Sequence, residues 1–182
     1  GMKLQEVQRL SDEEWKHMTE GLQQAGEICN EYGMKLVYHY HASTVVEHEE
    51  EIDRLMEMTD PSLVYLLYDT GHAYYGGTDP LALLHKYHER IPYIHLKDVR
   101  DDVLRRVKRE RIPFVDAVIE GVFTVPGDGC IDFKPIFAQL AACGYEGWMI
   151  IEAEQDPLKA EPNAYARKTI DYIKEITQGL DI

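Results

Sequence analysis

The sequence predicts an α/β fold in which parallel strands alternate with helices. Four short apolar runs have the composition of buried strands, and a helix-like segment follows each of them. Such alternation is typical of a parallel sheet with helices packed on its faces. Each run also ends in polar residues, at the strand ends where ligands bind in these folds.

The chain divides into a leading helical segment, over about residues 3–33, and four strand–helix units over residues 34–178. Ser11 and Glu14 have the spacing of a capping box, and Gly33 supplies a helix stop. Strands are predicted at residues 34–40, 62–68, 93–97 and 148–152. Residues 71–78 are predicted to form a loop. Helices are predicted at residues 46–58, 79–89, 101–110, 133–143 and 163–177, with a further short helix after Pro113.

The length of 182 residues suits one domain, and 45% apolar content suffices for a core. A complete eight-stranded α/β barrel takes about 250 residues. Four strands therefore indicate either a small open sheet or half of a barrel. Since half a barrel exposes two sheet edges and an apolar interior, we expect the chain to self-associate as a homo-oligomer.

The charge balance excludes several classes of partner. Thirty-three acidic residues against nineteen basic ones give a formal net charge of −14, which repels nucleic acids and anionic membranes. A small neutral or cationic ligand is expected instead. The sequence has neither an apolar run near the roughly 20 residues of a membrane span nor a signal-peptide pattern, so we expect a cytoplasmic protein. The three cysteines have neither disulfide-framework nor zinc-knuckle spacing.

The polar residues at the strand ends predict a metal site. Because side chains alternate along a strand, those at the four tips can face one centre. Two imidazoles with two carboxylates suit Mn²⁺, Co²⁺, Fe²⁺ or Zn²⁺, of which we favour Mn²⁺ or Co²⁺. Any single residue could instead cap a helix, but four tips of matching chemistry favour a metal. The candidates are His39, His41, Asp69, His95, Lys97, Glu152 and Glu154.

Further residues extend this candidate site. His72 follows the second strand and is expected to hydrogen-bond a hydroxylated substrate. Lys97 and Arg100 are candidate contacts to substrate oxygens, with a surface salt bridge as the alternative for Arg100. The segment PGDGC, residues 126–130, matches neither a phosphate loop nor a dinucleotide loop, so it is either a tight turn or an active-site loop. Cys130 has no neighbouring base in the sequence and is not expected to be a nucleophile.

Several motifs carry a family resemblance. The segments HYHAST, YDTGHAYYGG, IHLKDVR, FTVPGDGCIDF and GYEGWMIIEAEQDP resemble those of the inosose dehydratases, the 2-keto-myo-inositol dehydratases of bacterial inositol breakdown. That family lies within the xylose isomerase-like TIM barrel superfamily. The resemblance covers nearly the whole chain but only the C-terminal portion of the family's length. It implies that the four strands are the fifth to eighth of a (β/α)₈ barrel.

The resemblance also implies a ligand set. In the superfamily a Glu, an Asp, a His and a second Glu at these strand ends hold a divalent ion. By resemblance the Asp is Asp69, the His is His95 and the second Glu is Glu152. The first Glu falls on His39, a departure that makes the shell richer in nitrogen. His72 matches a histidine that binds substrate hydroxyls, and the family is also associated with glutathione as an added cofactor.

The implied activity is that of a hydro-lyase in inositol catabolism. Water is lost from 2-keto-myo-inositol to give a cyclohexane dione, as a metal ion stabilises an enolate and an acid protonates the departing hydroxyl. Glu152 or Glu154 is the candidate base, and His39, His41 or Lys97 the candidate acid. The alternatives are a sugar isomerase or epimerase with the same metal chemistry, and a non-catalytic remnant that binds metal or sugar.

Overall fold

The computed structural model describes residues 9–182, so residues 3–8 of the predicted leading segment lie outside it. Its strands are β1 (Leu36–His39), β2 (Val64–Asp69), β3 (Tyr93–Leu96), β4 (Asp98–Val99), β5 (Phe123–Thr124) and β6 (Trp148–Ile151). Its α-helices are α1 (Asp12–Glu31), α2 (Glu49–Met58), α3 (Thr70–Gly76), α4 (Pro80–Tyr87), α5 (Asp101–Glu110), α6 (Phe114–Ile119), α7 (Phe133–Ala142) and α8 (Pro162–Ile176).

The main sheet has the order β1-β2-β3-β6, and all its pairs are parallel. The predicted α/β fold with a parallel sheet is therefore confirmed. One face of the sheet packs against the helices in a continuous apolar core, to which β2 and β3 contribute Leu66, Tyr68, Ile94 and Leu96. The alternate residues face the other way, and the polar strand tips lie on that second face.

Capping contacts set the start of the first two helices. In α1 the Ser11 hydroxyl accepts from the N–H of Glu14, and the Glu14 carboxylate accepts from the N–H of Ser11, which confirms the capping box. Helix α1 therefore begins at Asp12, directly after this cap. The second helix begins at Glu49 and not at residue 46, because the Glu51 carboxylate accepts the N–H of His48 and fixes the cap there. No helix within residues 9–182 is long and apolar enough to cross a membrane.

The prediction of a loop at residues 71–78 is wrong, since most of this segment forms α3. The carboxylate of Asp69 accepts the N–H of His72 at 2.8 Å and so caps the new helix. Gly77, with φ of 89°, ends it. Two adjacent glycines suggested a loop, but this cap, directly after the strand, allows a helix of seven residues before the second of them.

A short antiparallel ribbon of β4 and β5, absent from the sequence prediction, carries the PGDGC segment. The buried carboxylate of Asp98 accepts four main-chain N–H groups, from Val99, Gly127, Gly129 and Ile131, at 2.8 to 3.1 Å. A Cβ on Gly129 would lie 2.3 Å from Asp98 Oδ1, so glycine is required there. The segment is a tight turn wrapped around an internal carboxylate.

Candidate metal centre

The strand register brings the four implied ligands to one face of the sheet. His39 is in register with the residue two before Asp69, Asp69 with His95, and His95 with the residue two before Glu152. Side chains alternate with a period of two, so these even offsets keep all four on the same side. Residue spacing along parallel strands therefore suffices to explain their convergence.

The structure brings four buried, partnerless atoms together at this point. Among the described residues, seven buried side-chain nitrogen or oxygen atoms lack a hydrogen-bond partner, and four of them are His39 Nε2, Asp69 Oδ2, His95 Nδ1 and Glu152 Oε2. Asp69 Oδ2 lies 3.4 Å from His39 Nε2 and 3.5 Å from His95 Nδ1. Glu152 Oε2 lies 2.8 Å from His95 Nδ1 without hydrogen-bond geometry. Buried polar atoms are normally satisfied, so this donor set fits a divalent cation.

Two buried hydroxyls hold the main chain of the centre. Tyr40 Oη donates to the carbonyl of Asp69 at 2.6 Å and accepts its N–H at 2.8 Å. Thr70 Oγ1 does the same for Lys97, at 2.6 and 3.0 Å. Each hydroxyl continues the backbone pairing beyond the end of a strand. Sequence reasoning missed both residues, because their partners are 29 and 27 positions away.

The ammonium of Lys97 lies beside the ligand set. The side chain is fully buried and crosses Gly71 so closely that a Cβ there would be 2.5 Å from Lys97 Cγ. Its Nζ lies 2.9 Å from both Glu154 Oε2 and His72 Nε2. It is also 3.1 and 3.4 Å from two of the ligand oxygens. A fixed positive charge therefore belongs to the site.

The charged groups at the centre shift one another's pKa values towards the charged forms. Burial lowers the pKa of Lys97, but the carboxylates of Asp69 and Glu154 outweigh it and raise that pKa. Burial raises the pKa of Asp69, but two adjacent imidazoles and the ammonium hold it well below its usual range. Contacts with Asp69 and Glu152 raise the pKa of His95 to about 9. A metal ion held through His95 Nδ1 would have to displace the proton from that ring, since a ligating imidazole is neutral.

A second cluster surrounds Glu154, just beyond the ligands. Its carboxylate lies 3.7 Å from His41 Nε2 and 3.4 Å from His72 Nε2. Burial raises the pKa of Glu154, but these two imidazoles and the nearby ammonium outweigh burial and lower it strongly. For His41, burial lowers the pKa, yet Glu154 and the carbonyl of Ala42 raise it overall. The His41 side chain is 27% exposed, whereas that of His72 is fully buried.

An apolar wall stands next to these histidines. The Phe114 ring centroid is 5.4 Å from that of His41 and 5.7 Å from that of Tyr75, and the Phe123 centroid is 5.0 Å from that of His72. Apolar walls beside a few convergent polar groups are typical of small-molecule sites. Sequence reasoning missed this wall, since its rings come from three separate elements.

The structure does not bring Arg100 into either cluster. Its guanidinium donates to the carbonyls of Gly121 and Phe123 at 2.7 and 3.2 Å, to Thr124 Oγ1 at 2.9 Å and to Asp128 Oδ2 at 2.6 Å. These bonds hold the β4–β5 ribbon. The contacts of Arg100 are thus an ion pair, as in the alternative prediction, and main-chain bonds, and its substrate contact stays a prediction.

Comparison with known proteins gives a consistent result. The chain is 62% identical over 174 residues to the inosose dehydratase of Geobacillus kaustophilus (strain HTA426), covering 96% of this chain and 56% of that protein. It is 56% identical over 168 residues to the inosose dehydratase of Clostridium beijerinckii, covering 92% of this chain and 56% of that protein. The chain thus spans about half the length of these curated relatives.

Solved structures show the same fold at low sequence identity. The IOLI protein with a binding zinc atom superposes with a TM-score of 0.70 at 18% identity, covering all of this chain and 62% of that one. The probable 3-DHS dehydratase AsbF from Bacillus anthracis gives a TM-score of 0.70 at 12% identity, covering 90% of this chain and 60% of that one. The model of the xylose isomerase-like TIM barrel family matches residues 4–176. The chain belongs to the xylose isomerase-like TIM barrel family.

Proposed function

We propose that this chain supplies the metal centre of an inosose dehydratase, which removes water from 2-keto-myo-inositol. The observation that carries the proposal is the set of four buried, partnerless atoms at the strand ends. Ligand atoms of Asp69, His95 and Glu152 lie within 4.8 Å of one another, and His39 Nε2 lies 3.4 Å from Asp69. Identity of 62% to one named inosose dehydratase supports the substrate class, and the zinc of the IOLI protein supports a divalent ion. The chain spans 56% of that dehydratase, so the proposal concerns the part of the activity that these residues carry.

The ligands of the ion would be His39, Asp69, His95 and Glu152. Two imidazole nitrogens and two carboxylates suit Mn²⁺ or Co²⁺, with Zn²⁺ or Fe²⁺ as the alternatives. When bound there, such an ion supplies Lewis-acid polarisation of a carbonyl oxygen. The glutathione that the resemblance implies stays a prediction, as does a cytoplasmic location.

Residues outside the ligand set would carry out the two proton transfers of the reaction. Glu154 is ionised and outside the ligand set, so we assign it as the base that takes the proton from the carbon next to the ketone, although its lowered pKa makes it a weaker base than a free carboxylate. His41 is partly exposed and has a raised pKa, so it is the acid that protonates the departing hydroxyl. His72 and Lys97 are buried and hold the Glu154 carboxylate in place. Phe114 lies between Tyr75 and Phe123, with ring centroids 5.7 and 6.1 Å away. This aromatic wall excludes water from one side of the site.

Incubation of the purified protein with 2-keto-myo-inositol and Mn²⁺ tests this function. We expect a product lighter by one water, detected by mass spectrometry, and its loss in Glu154→Gln. The reaction run in D₂O distinguishes the alternative chemistry, because an isomerase or epimerase incorporates deuterium without losing water. A protein that binds Mn²⁺ at this site but neither dehydrates nor binds the ketone would contradict the proposal.

We further propose that the open sheet is covered by association with another copy of the chain. Within residues 9–182, β1 and β6 each have a single strand partner, and Trp148 at the start of β6 is 73% exposed. Unprotected strand edges favour association. Light scattering at micromolar concentration is expected to give a mass above that of one chain, and a strictly monomeric mass would disprove the association.

A further inference from the structure

The segment that carries Glu154 is strained and has few main-chain contacts. Glu154 has φ of 39°, a left-handed conformation that residues other than glycine rarely adopt. The strand pairing ends with the N–H of Glu152, which donates to the carbonyl of Leu96 at 3.2 Å. The next turn begins at Asp156. Between these points, residues 153–155 make no main-chain hydrogen bond to the described part of the chain.

Besides the bond from Lys97 to the Glu154 carboxylate, one side-chain hydrogen bond ties this segment to the rest of the described chain. Gln155 Nε2 donates to Thr124 Oγ1 at 3.1 Å. Thr124 is fully buried in β5, and its hydroxyl donates to Asp128 Oδ2 at 2.6 Å while accepting from Arg100 Nη2 at 2.9 Å. A hydroxyl has one donor and two acceptor positions, so all three are used. The Thr124 hydroxyl oxygen that accepts from Gln155 is therefore fixed in place.

We infer that Gln155 is a positioning residue, which holds the strained turn of Glu154 through Thr124 and the Arg100–Asp128 pair. A left-handed glutamate persists only where the surrounding structure imposes it. The Glu154 side chain contacts Lys97, but that contact constrains the carboxylate and not the φ angle. The bond from Gln155 anchors the residue directly after the strained one to β5 and so limits how far the main chain there can move. For turnover, the inference rests on the function proposed above.

The arrangement also explains why Arg100 lies away from the metal ligands. Its Nη1 and Nη2 groups donate to the ribbon carbonyls of Gly121 and Phe123, to Thr124 Oγ1 and to Asp128. The ribbon places Thr124 near the ends of the strands, where it accepts a hydrogen bond from Gln155. Arg100 thus acts on the site through two intermediates rather than by contact with a substrate.

Matched variants remove the hydrogen bond between Gln155 and Thr124 with little change in the size of either side chain. Gln155→Leu deletes the donor, and Thr124→Val deletes the hydroxyl, whereas Thr124→Ser keeps it. Gln24→Leu, at an exposed position on α1, is the control. Histidine ring signals in ¹⁵N-labelled protein report the result without need of activity, with Glu154→Ala as the reference for a lost carboxylate.

In Gln155→Leu and Thr124→Val, we expect the His41 and His72 ring signals to move towards their positions in Glu154→Ala. Those of His39 and His95 should stay near wild type, and bound metal should remain stoichiometric. Thr124→Ser should restore the wild-type spectrum. Where the protein turns over ketone, kcat should fall by about 10-fold to 100-fold with KM little changed, as for a misplaced catalytic group.

Two results would overturn the inference. One is a Gln155→Leu spectrum in which His41 and His72 match wild type although Glu154→Ala moves them. The other is an equal effect of Thr124→Ser and Thr124→Val, which would show that the hydroxyl is irrelevant. If wild type fails to dehydrate the ketone while the ring signals move as expected, the proposed function fails and the positioning role stands.

Discussion

Replacement of both Asp69 and His95 by alanine is expected to abolish metal binding. Their partnerless atoms, Oδ2 and Nδ1, lie 3.5 Å apart at the middle of the donor set, and two remaining ligands cannot form a closed shell. Mutation of a residue that only hydrogen-bonds to a metal ligand typically lowers metal affinity about 10-fold to 100-fold. Loss of two ligands should lower the affinity further. Elemental analysis after desalting should show about one Mn²⁺ or Co²⁺ per wild-type chain and almost none in the variant.

The matched control removes a histidine and a carboxylate elsewhere. His85→Ala with Glu89→Ala changes two exposed residues at the end of α4 and just after it, and should retain the ion. Circular dichroism should show that both double variants are folded. Equal metal content in wild type and in the Asp69, His95 variant would rule out the site.

Replacement of Lys97 by methionine is expected to tighten metal binding while it destroys turnover. The ammonium lies 3.1 and 3.4 Å from oxygens of Glu152 and Asp69, so it repels an ion bound between them. It is also the closest cation to the Glu154 carboxylate, at 2.9 Å, and its loss releases the proposed base. Once His95 has given up its proton, the three carboxylates and the one ammonium leave the site with two net negative charges, which one divalent ion would neutralise.

The stability of the Lys97→Met protein should therefore depend more strongly on metal than that of wild type. Removal of one partner of a buried ion pair costs about 3–5 kcal/mol, and a ligand that binds only the folded state returns stability as its concentration rises. Thermal unfolding with and without Mn²⁺ should show a larger increase in Tm for the variant. Lys134→Met, at an exposed position on α7, should behave as wild type. Weaker metal binding by Lys97→Met would contradict this account.

The proposed metal ligands could be predicted from sequence because their positions obey a local rule. A strand places alternate side chains on one face, so His39 and Asp69 at the ends of apolar runs predict convergence without knowledge of the fold. Family resemblance then selected four residues among seven candidates. The structure brings those four together, and it separates Arg100 from them.

The supporting residues could not be expected from sequence, because their roles depend on distant partners. Tyr40 lies in an apolar run and reads as core, yet its hydroxyl holds the main chain of Asp69 from 29 residues away. Gly71 is predicted to lie in a loop and Thr70 is given no role, yet Thr70 bonds to the main chain of Lys97 and Gly71 leaves room for its side chain. Sequence patterns and propensities predict interactions between residues that are close in the chain. Tyr40, Thr70 and Gly71 instead contact residues that are distant in the chain and close only in the folded structure.

The double hydrogen bond of Tyr40 to Asp69 makes the centre sensitive to errors in strand pairing. A slip of β1 by one residue against β2 would turn His39 towards the helices and leave the Tyr40 hydroxyl without its two partners. Such a misfolded chain would lack a ligand as well as a backbone bond. Retention of the proposed ion would therefore require native pairing of the first two strands, and the metal-loaded fraction of a preparation would report how many molecules have that pairing.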